Sequence, residues 1–374
     1  MATLKIGIIG CGNISGIYCE NLARYSGVQL LACSDLDMDR ARALRERYGF
    51  PMALSVDELL SRPDIDLVIN LTVPKAHSAI SANAVQSGKH VYSEKPLAVD
   101  VNAAAAVLQQ ARDRELRIGC APDTFLGGSH QTCRRLIDRG DIGEPVGATA
   151  FMLCHGHESW HPNPAFYYEA GGGPMMDMGP YYLTALVNLL GPIKRVTGIS
   201  RATFPSRTIT SNPLAGQRIA VETPTHICSV LDFQSGAIAS VVMSFDVWHT
   251  TLPRIEVYGS EGTLLVPDPN GFGGEVRIRS IRDSEWRVVA PIADFLGNAR
   301  GLGVAEMAEA IQANRPHRAS GQLAGHVLDA MAGADISSKT GMHHAITCTA
   351  DRPAPLPPTY RIGSDGTWLL TEEM

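Results

Sequence analysis

The stretch from Leu4 to Asp35 constrains the fold most. Leu4-Lys5-Ile6-Gly7-Ile8-Ile9 is a short apolar run, the pattern of a strand buried on both faces. Gly10-Cys11-Gly12-Asn13-Ile14-Ser15 follows at once. Ile14, Ile17, Tyr18, Asn21 and Leu22 then fall on one helical face, with only Asn21 breaking its apolar character. Strand, glycine turn and helix in that order is the context a dinucleotide fingerprint requires. Gly10 permits the tight turn, and Gly12 lets the backbone approach a pyrophosphate at the helix N-terminus. Ser15 holds the third glycine position, with Gly16 beside it, and a small residue there still lets helix and strand pack closely. The next apolar strand, Val28 to Ser34, ends in Asp35. An acid there accepts hydrogen bonds from the adenosine ribose and repels a 2′-phosphate. Leu36 and Asp37 follow, with no adjoining arginine, which favours NAD over NADP.

Strand and helix keep alternating. Asp39 to Tyr48 reads as a helix stopped by Gly49, and Ser55-Val-Asp-Glu58 is a capping box opening a short one. Ile65 to Thr72 is a strand with Val73-Pro74 at its carboxyl end. His77 lies just inside the following helix. His90 to Ser93 is another strand, followed by a helix from about Asp100 to Arg114 and a strand from Arg117 to Ala121. Such alternation predicts a doubly wound parallel sheet over residues 1–123.

Glu94-Lys95-Pro96 stands at the carboxyl end of one of these strands, where open α/β sheets bind ligands. Proline pushes the residue before it out of the α region, so Lys95 cannot simply start the next helix and its direction is fixed. A lysine held there is placed to meet a substrate.

Beyond residue 123 the rhythm changes. Helices over Ser129–Arg139 and Pro180–Leu190 are separated by a strand at Val146–Leu153 and a loop rich in His, Trp and Pro. Strand-like runs follow at Arg195–Phe204, His226–Phe233, Ala237–Phe245, Ile255–Tyr258, Thr263–Val266, Val276–Ile281 and Arg287–Val289. The pattern predicts an α+β domain, residues 124–350, on a large open, mainly antiparallel sheet. Helices near Val304–Ala313 and Gln322–Ser338 should cover one face of that sheet. Burying the other requires self-association, most simply as a homodimer or homotetramer. His326, in an apolar helix, reads as a satisfied core histidine. The proline-rich residues 351–374 read as an extended, irregular tail.

Composition excludes several classes. A chain of 374 residues with 45% hydrophobic and 19% charged residues has room for two cored domains. Its net charge of −6 and lack of a long basic run argue against nucleic acid. No apolar run approaches the ~18 residues of a membrane span, and the N-terminus lacks a signal peptide's layout. Eight scattered cysteines without a Cys-x-x-Cys pair imply reduced thiols and the cytoplasm.

Gly10-x-Gly12, Asp35, Glu94-Lys95-Pro96 and Asp177-x-Gly179-x-Tyr181 occur in that order, and on these motifs the chain resembles, over essentially its full length, the Gfo/Idh/MocA family of NAD(P)-dependent oxidoreductases. The resemblance implies a Rossmann domain followed by an open-sheet α/β domain. It also implies hydride transfer at a carbinol or carbonyl carbon of a sugar, cyclitol or related polyol. It places the cofactor at Gly10, Gly12, Asn13, Ile14 and Asp35, and further along at Thr72, Pro74, His77, Glu94 and Lys95. It puts Lys95 in the active site beside a commonly cis Pro96. Most members carry histidine as proton acceptor where this chain has Tyr181. It is closer to the branch with tyrosine there. The resemblance thus implies Lys95, Asp177 and Tyr181 as the catalytic set. Tyrosine is a weak base unless its pKa is lowered, which Lys95 nearby would do; alternatively Lys95 itself is the base, its pKa lowered by burial. Pro180 is expected to mark the helix's first turn.

Cys154-His155-Gly-His157-Glu158-Ser-Trp160-His161 has the look of a metal site, with His155 and His157 on one side of an extended stretch. Carbinol oxidation by NAD needs no metal beside a Lys/Tyr pair, so the stretch is read as a substrate loop in which Trp160, His161 and Asn163 contact a sugar. Trp248 and His249 are similar candidates. Two other readings stay open: a redox-cycling glycosidase using NAD transiently, and a silent sugar sensor on the same scaffold.

Overall fold

The computed structural model describes residues 3–372. The first sheet contains β1 (Leu4–Ile9), β2 (Val28–Ser34), β3 (Met52–Ala53), β4 (Leu67–Asn70), β5 (His90–Ser93) and β6 (Ile118–Cys120), in the order β3-β2-β1-β4-β5-β6. Every pairing is parallel. Helices α1 (Ser15–Leu22), α2 (Met38–Tyr48), α3 (Val56–Ser61), α4 (His77–Gln86) and α5 (Val101–Arg112) make the crossovers. Ile6, Ile8, Leu67, Val68 and Ile69 are completely buried, which is why β1 and β4 read as continuous apolar runs rather than alternating ones. The strand order reverses between β1 and β4, opening a crevice at their carboxyl ends. The capping box forms as predicted: Ser55 and Glu58 satisfy each other's backbone N–H.

The second domain holds α6 (Gly128–Asp138), β7 (Pro145–Leu153), α7 (Gly173–Leu190), β8 (Ile193–Arg201), a small β9 (Ser206–Thr208) and β10 (Arg218–Ala220) pair, β11 (His226–Phe233), β12 (Ile238–Ser244), β13 (Ile255–Gly259), β14 (Gly262–Val266), β15 (Val276–Ser280) and β16 (Arg287–Val289). Then come α8 (Leu302–Gln312), α9 (Gly321–Thr340), β17 (His344–Ala345), β18 (Arg361–Ile362) and β19 (Trp368–Leu369). Nine strands form one open sheet in the order β16-β15-β14-β13-β7-β12-β11-β8-β17. All its pairings are antiparallel except β7 with β12. Helices α7 and α9 cover one face. On the other, Ile199, Cys228, Val242 and Phe151 form a cross-strand row on β8, β11, β12 and β7.

One expectation needs correction. Helix α8 does not cover this sheet; it returns to the first domain and packs on β6 and α1. The Cys120 N–H donates to the Ala319 carbonyl (2.9 Å), and buried Asp123 accepts from the N–H groups of Gly301 and Gly303 (2.9 Å each) at the start of α8. Local pattern gave α8 its helix but carried no information on which sheet it joins. The tail over 351–374 is mostly irregular where it is described, as expected, but it is packed. Leu356, Tyr360, Trp368 and Leu370 are buried, β18 pairs with β19, and the Trp368 N–H donates to Arg24 of the first domain. His326 is the core histidine expected, accepting from the Ile193 N–H (2.9 Å) and bonded to the Cys348 carbonyl (2.7 Å).

Glu306 of α8 is fully buried and binds Arg315 (2.7 Å) and both the guanidinium (2.8 Å) and backbone N–H (2.9 Å) of Arg318. Breaking such a pair leaves buried charge uncompensated. Glu306→Ala should cost about 3 kcal/mol, read as a lowered denaturation midpoint, whereas Glu306→Gln should lose less. A midpoint unchanged in Glu306→Ala would show that the cluster does not hold α8.

Candidate active site

The glycine turn is shaped by β4. Gly10 has φ +102°, and a Cβ there would lie 2.6 Å from the Leu71 carbonyl and 2.8 Å from the Thr72 nitrogen. A Cβ on Gly12 would meet no atom within 4 Å. Gly10 is thus required by the fold, whereas Gly12 leaves open space above the start of α1. Ser15 donates to the Gly12 carbonyl (2.7 Å), and Gly16 allows the Tyr48 hydroxyl close approach. Asp35 accepts from the N–H of Cys11 (2.7 Å) and of Asp37 (2.9 Å), so it braces the turn while keeping lone pairs for a ligand. Cys11, Gly12, Asn13 and Ser15 line a groove of about 840 Å³ with Arg40, Arg47, Tyr48 and Val73.

A second cavity of about 680 Å³ begins beside Ile14, Leu71, Thr72, Pro74 and His77 and runs to Glu94, Lys95, Asp177 and Tyr181. Both carboxylate oxygens of Glu94 in the lysine motif are committed. Glu94 accepts from the Tyr18 hydroxyl (2.8 Å) and from the Lys95 backbone N–H (2.9 Å), and the Lys95–Pro96 bond is cis. Lys95 Nζ donates to the Asp177 carbonyl (2.6 Å) and to Asp177 Oδ1 (2.9 Å), and lies 5.1 Å from the centre of the Tyr181 ring. His157 Nε2 sits 3.2 Å from Asp177 Oδ2. His77 is buried with both ring nitrogens on carbonyls, Pro96 (2.7 Å) and Thr72 (2.9 Å), so it braces the wall rather than offering a free group. Thr72 donates to Asn70 (2.7 Å).

Helix α7 starts at Gly173 with Pro174 in its first turn, and Pro180 lies inside it. This corrects the expectation that Pro180 opens the helix. Asp177 and Tyr181 are one turn apart on the same face.

Burial alone would lower the Lys95 pKa, but Asp177, Tyr181 and Glu94 outweigh it and hold the ammonium above its ordinary range. Burial would raise Asp177; Lys95 and His157 outweigh that and keep it well below the usual carboxylate range. For Tyr181 burial wins, raising the phenol above its ordinary value against the opposing pull of Lys95 and Arg300. Lys95 is therefore not lowered, and its pull on Tyr181 has the expected sign but is outweighed by burial. Both groups stand as proton donors.

The histidine loop also departs from expectation. Gly156 has φ +81°, so the stretch is not extended and the two histidines diverge. His157 enters the cavity; His155 turns away and stacks on Trp248 (ring centres 3.4 Å apart, planes at 14°). Among the described residues no group of three His, Cys, Asp or Glu is arranged to hold a metal. Trp160 lines the Lys95 cavity as expected. His161 does not: it lines the groove over the glycine turn, and Asn163 is exposed, its N–H on His161 (3.1 Å). Tyr167, Arg254, Asp268, Asn270 and Arg300 line the cavity without having been anticipated. Apart from Tyr167, which ends a short 3₁₀ turn, they come from loops, which carry no periodic signal.

The pair Gly10 and Gly12 separates fold from binding. Gly10→Ala should lower thermal stability and abolish dinucleotide binding. Gly12→Ala should melt like the wild type yet lose at least about tenfold in dinucleotide affinity, because a methyl group occupies the space a pyrophosphate needs. Calorimetry and fluorescence titration check both, and equal dinucleotide affinity in Gly12→Ala and wild type would contradict the assignment of that space.

Residues 4–121 match the family model described as an oxidoreductase family with an NAD-binding Rossmann fold, and residues 130–265 match that of the GFO/IDH/MocA C-terminal domain. Similar curated proteins include myo-inositol 2-dehydrogenase of Thermotoga maritima, 25% identical over 70% of this chain and 75% of that one. Another is dTDP-3,4-didehydro-2,6-dideoxy-alpha-D-glucose 3-reductase of Streptomyces violaceoruber, 28% identical over 86% of this chain and 87% of that one. Among solved structures, an NAD-binding oxidoreductase from Klebsiella pneumoniae superposes with a TM-score of 0.81 at 22% identity, covering 93% of this chain and all of that one. With both domain models matched in order across well over half its length, the chain belongs to the GFO/IDH/MocA family of oxidoreductases.

Proposed function

We propose that this protein transfers hydride between NAD and a carbinol or carbonyl carbon of a sugar, cyclitol or related polyol. The observation that carries the reading is the Lys95–Asp177 pair beside Tyr181, in a cavity at the carboxyl ends of the parallel strands. The similar proteins named for inositol and for a deoxysugar support the substrate class. The two cavities flank the glycine turn, and the space above Gly12 fits a pyrophosphate. Gly10, Gly12, Asn13 and Asp35 would hold the adenosine and phosphate half. Thr72, Pro74 and Glu94 would border the nicotinamide, which when bound supplies the hydride acceptor or donor.

Asp35 favours NAD through its negative charge toward a 2′-phosphate. Arg40 and Arg47 line the same groove and are paired with Asp37 (3.4 Å) and Glu20 (3.7 Å), so the preference for NAD rests on Asp35 and Asp37 against two arginines drawn off into ion pairs. Eight unpaired thiols support a reducing compartment, the cytoplasm. The exposed apolar residues Ile199, Val230 and Ile238 support face-to-face packing of the second sheet in a homodimer or homotetramer. Light scattering at micromolar concentration should give a multiple of the chain mass; a monomer would contradict this packing.

In the site, Lys95 Nζ spends two donors on Asp177, leaving one for the substrate oxygen. Tyr181 holds or takes the proton of that oxygen, with Lys95 and Arg300 favouring its ionised form. Because both groups stand protonated, carbonyl reduction needs only proton delivery. Oxidation needs a proton removed first, so its kcat/KM should rise with pH from neutral into the alkaline range while reduction does not. Tyr181→Phe should lower kcat about 10²-fold, and Lys95→Ala should be severe, with NAD affinity near native in both. The checking assay is a polyol screen with NAD and with NADP, followed by absorbance of the reduced nicotinamide. Net release of NADH also separates this reading from a redox-cycling glycosidase. Near-native kcat in Tyr181→Phe would make Tyr181 a packing residue and Lys95 the proton carrier.

A further inference from the structure

We propose that His157 is a positioning residue for the proposed hydride transfer: it locks the Asp177 carboxylate so that Lys95 keeps one N–H aimed at the substrate. Asp177 has two oxygens. Oδ1 accepts from Lys95 and Oδ2 from His157 Nε2. The carboxylate is an acceptor, so Nε2 carries the hydrogen. His157 Nδ1 is buried without a partner. A hydrogen on Nδ1 would be stranded, whereas one on Nε2 meets Asp177, so Nε2 is a fixed donor.

The ring has no freedom to leave. It packs edge-on against Tyr167 (4.4 Å between ring centres) and Trp160 (5.1 Å), and lies 4.6 Å from Phe245. The chain on either side is anchored. The Cys154 N–H donates to the Ser244 carbonyl (3.1 Å), and Glu158 next to His157 is ion-paired with buried Arg207 (3.0 Å). Without the His157 donor, Asp177 can rotate about its last torsion and offer both oxygens to Lys95. That draws the ammonium toward the carboxylate and away from the substrate oxygen. His157 lies outside the Asp177-x-Gly179-x-Tyr181 motif, which itself holds no histidine.

Two measurements test this, and only the kinetic one rests on the dehydrogenase reading. In the ¹⁵N-histidine spectrum, the resonance lost in His157→Gln should report a ring protonated at Nε2, and it should move in Asp177→Ala. A bare Nε2, or no response to Asp177→Ala, overturns the proposal whatever the enzyme's activity. In kinetics, His157→Phe should lose at least about tenfold in kcat with NAD affinity kept. His157→Gln, whose amide N–H can still reach Asp177, should recover most of that loss. Equal loss in the folded Gln and Phe variants, or none in His157→Phe, would also overturn it. Absence of turnover by the wild type with every polyol counts against the dehydrogenase reading, and the spectrum then decides His157 alone.

Discussion

The site depends on one ion pair that crosses a domain boundary. Lys95 comes from the end of β5 in the first domain, and Asp177 from α7 in the second. Both side chains are largely buried, at 16% and 18% exposure, so neither charge can be left alone without a large penalty. The relative placement of the two domains is therefore tied to the chemistry. A second cross-domain pair, Lys75 with Glu169, is exposed and contributes little by comparison. The return of α8 and the tail to the first domain acts in the same direction. Glu306 clamps Arg315 and Arg318, and Asp123 receives the start of α8, so the chain stitches its two domains together at several depths.

Much of this was legible in the sequence, for a physical reason. Elements that satisfy local rules announce themselves: the buried runs of β1 and β4, the Ser55–Glu58 box, and the glycine turn before α1 are each dictated within a few residues. Lys95, Asp177 and Tyr181 do meet, because each sits on a regular element whose end or face the motif fixes. Long-range choices were not legible. Nothing local to α8 says which of two sheets it will join. The divergence of His155 and His157 turns on the conformation of a single glycine. Arg254, Asp268, Asn270 and Arg300 reach the cavity from loops, where position in space follows from the whole fold rather than from spacing.

Charge in the cavity also escaped local reading. A lysine buried alone is expected to release its proton, and a tyrosine beside a lysine to ionise. Both rules are correct in isolation. In the assembled site Asp177 reverses the first, and burial overrides the second. The sign of each shift was decided by surroundings that exist only after folding, a neighbour for Lys95 and burial for Tyr181.

Asp177 serves Lys95 with two different acceptors. A proline in a helix interior has no N–H for the carbonyl four residues back, and its ring crowds that carbonyl. Here that carbonyl is the one of Met176, next to Asp177. The Asp177 carbonyl has a second lone pair, and Lys95 Nζ takes it at 2.6 Å. Gly179 supports the same geometry from the other side: a Cβ there would lie 2.7 Å from Met331 Sδ of α9, so α7 can press against α9 without a side chain between them. The glycine and the proline between Asp177 and Tyr181 thus do different work. One seats the helix on its neighbour, and the other leaves the Met176 carbonyl without its helical donor, while Asp177 itself grips Lys95 through both main chain and side chain.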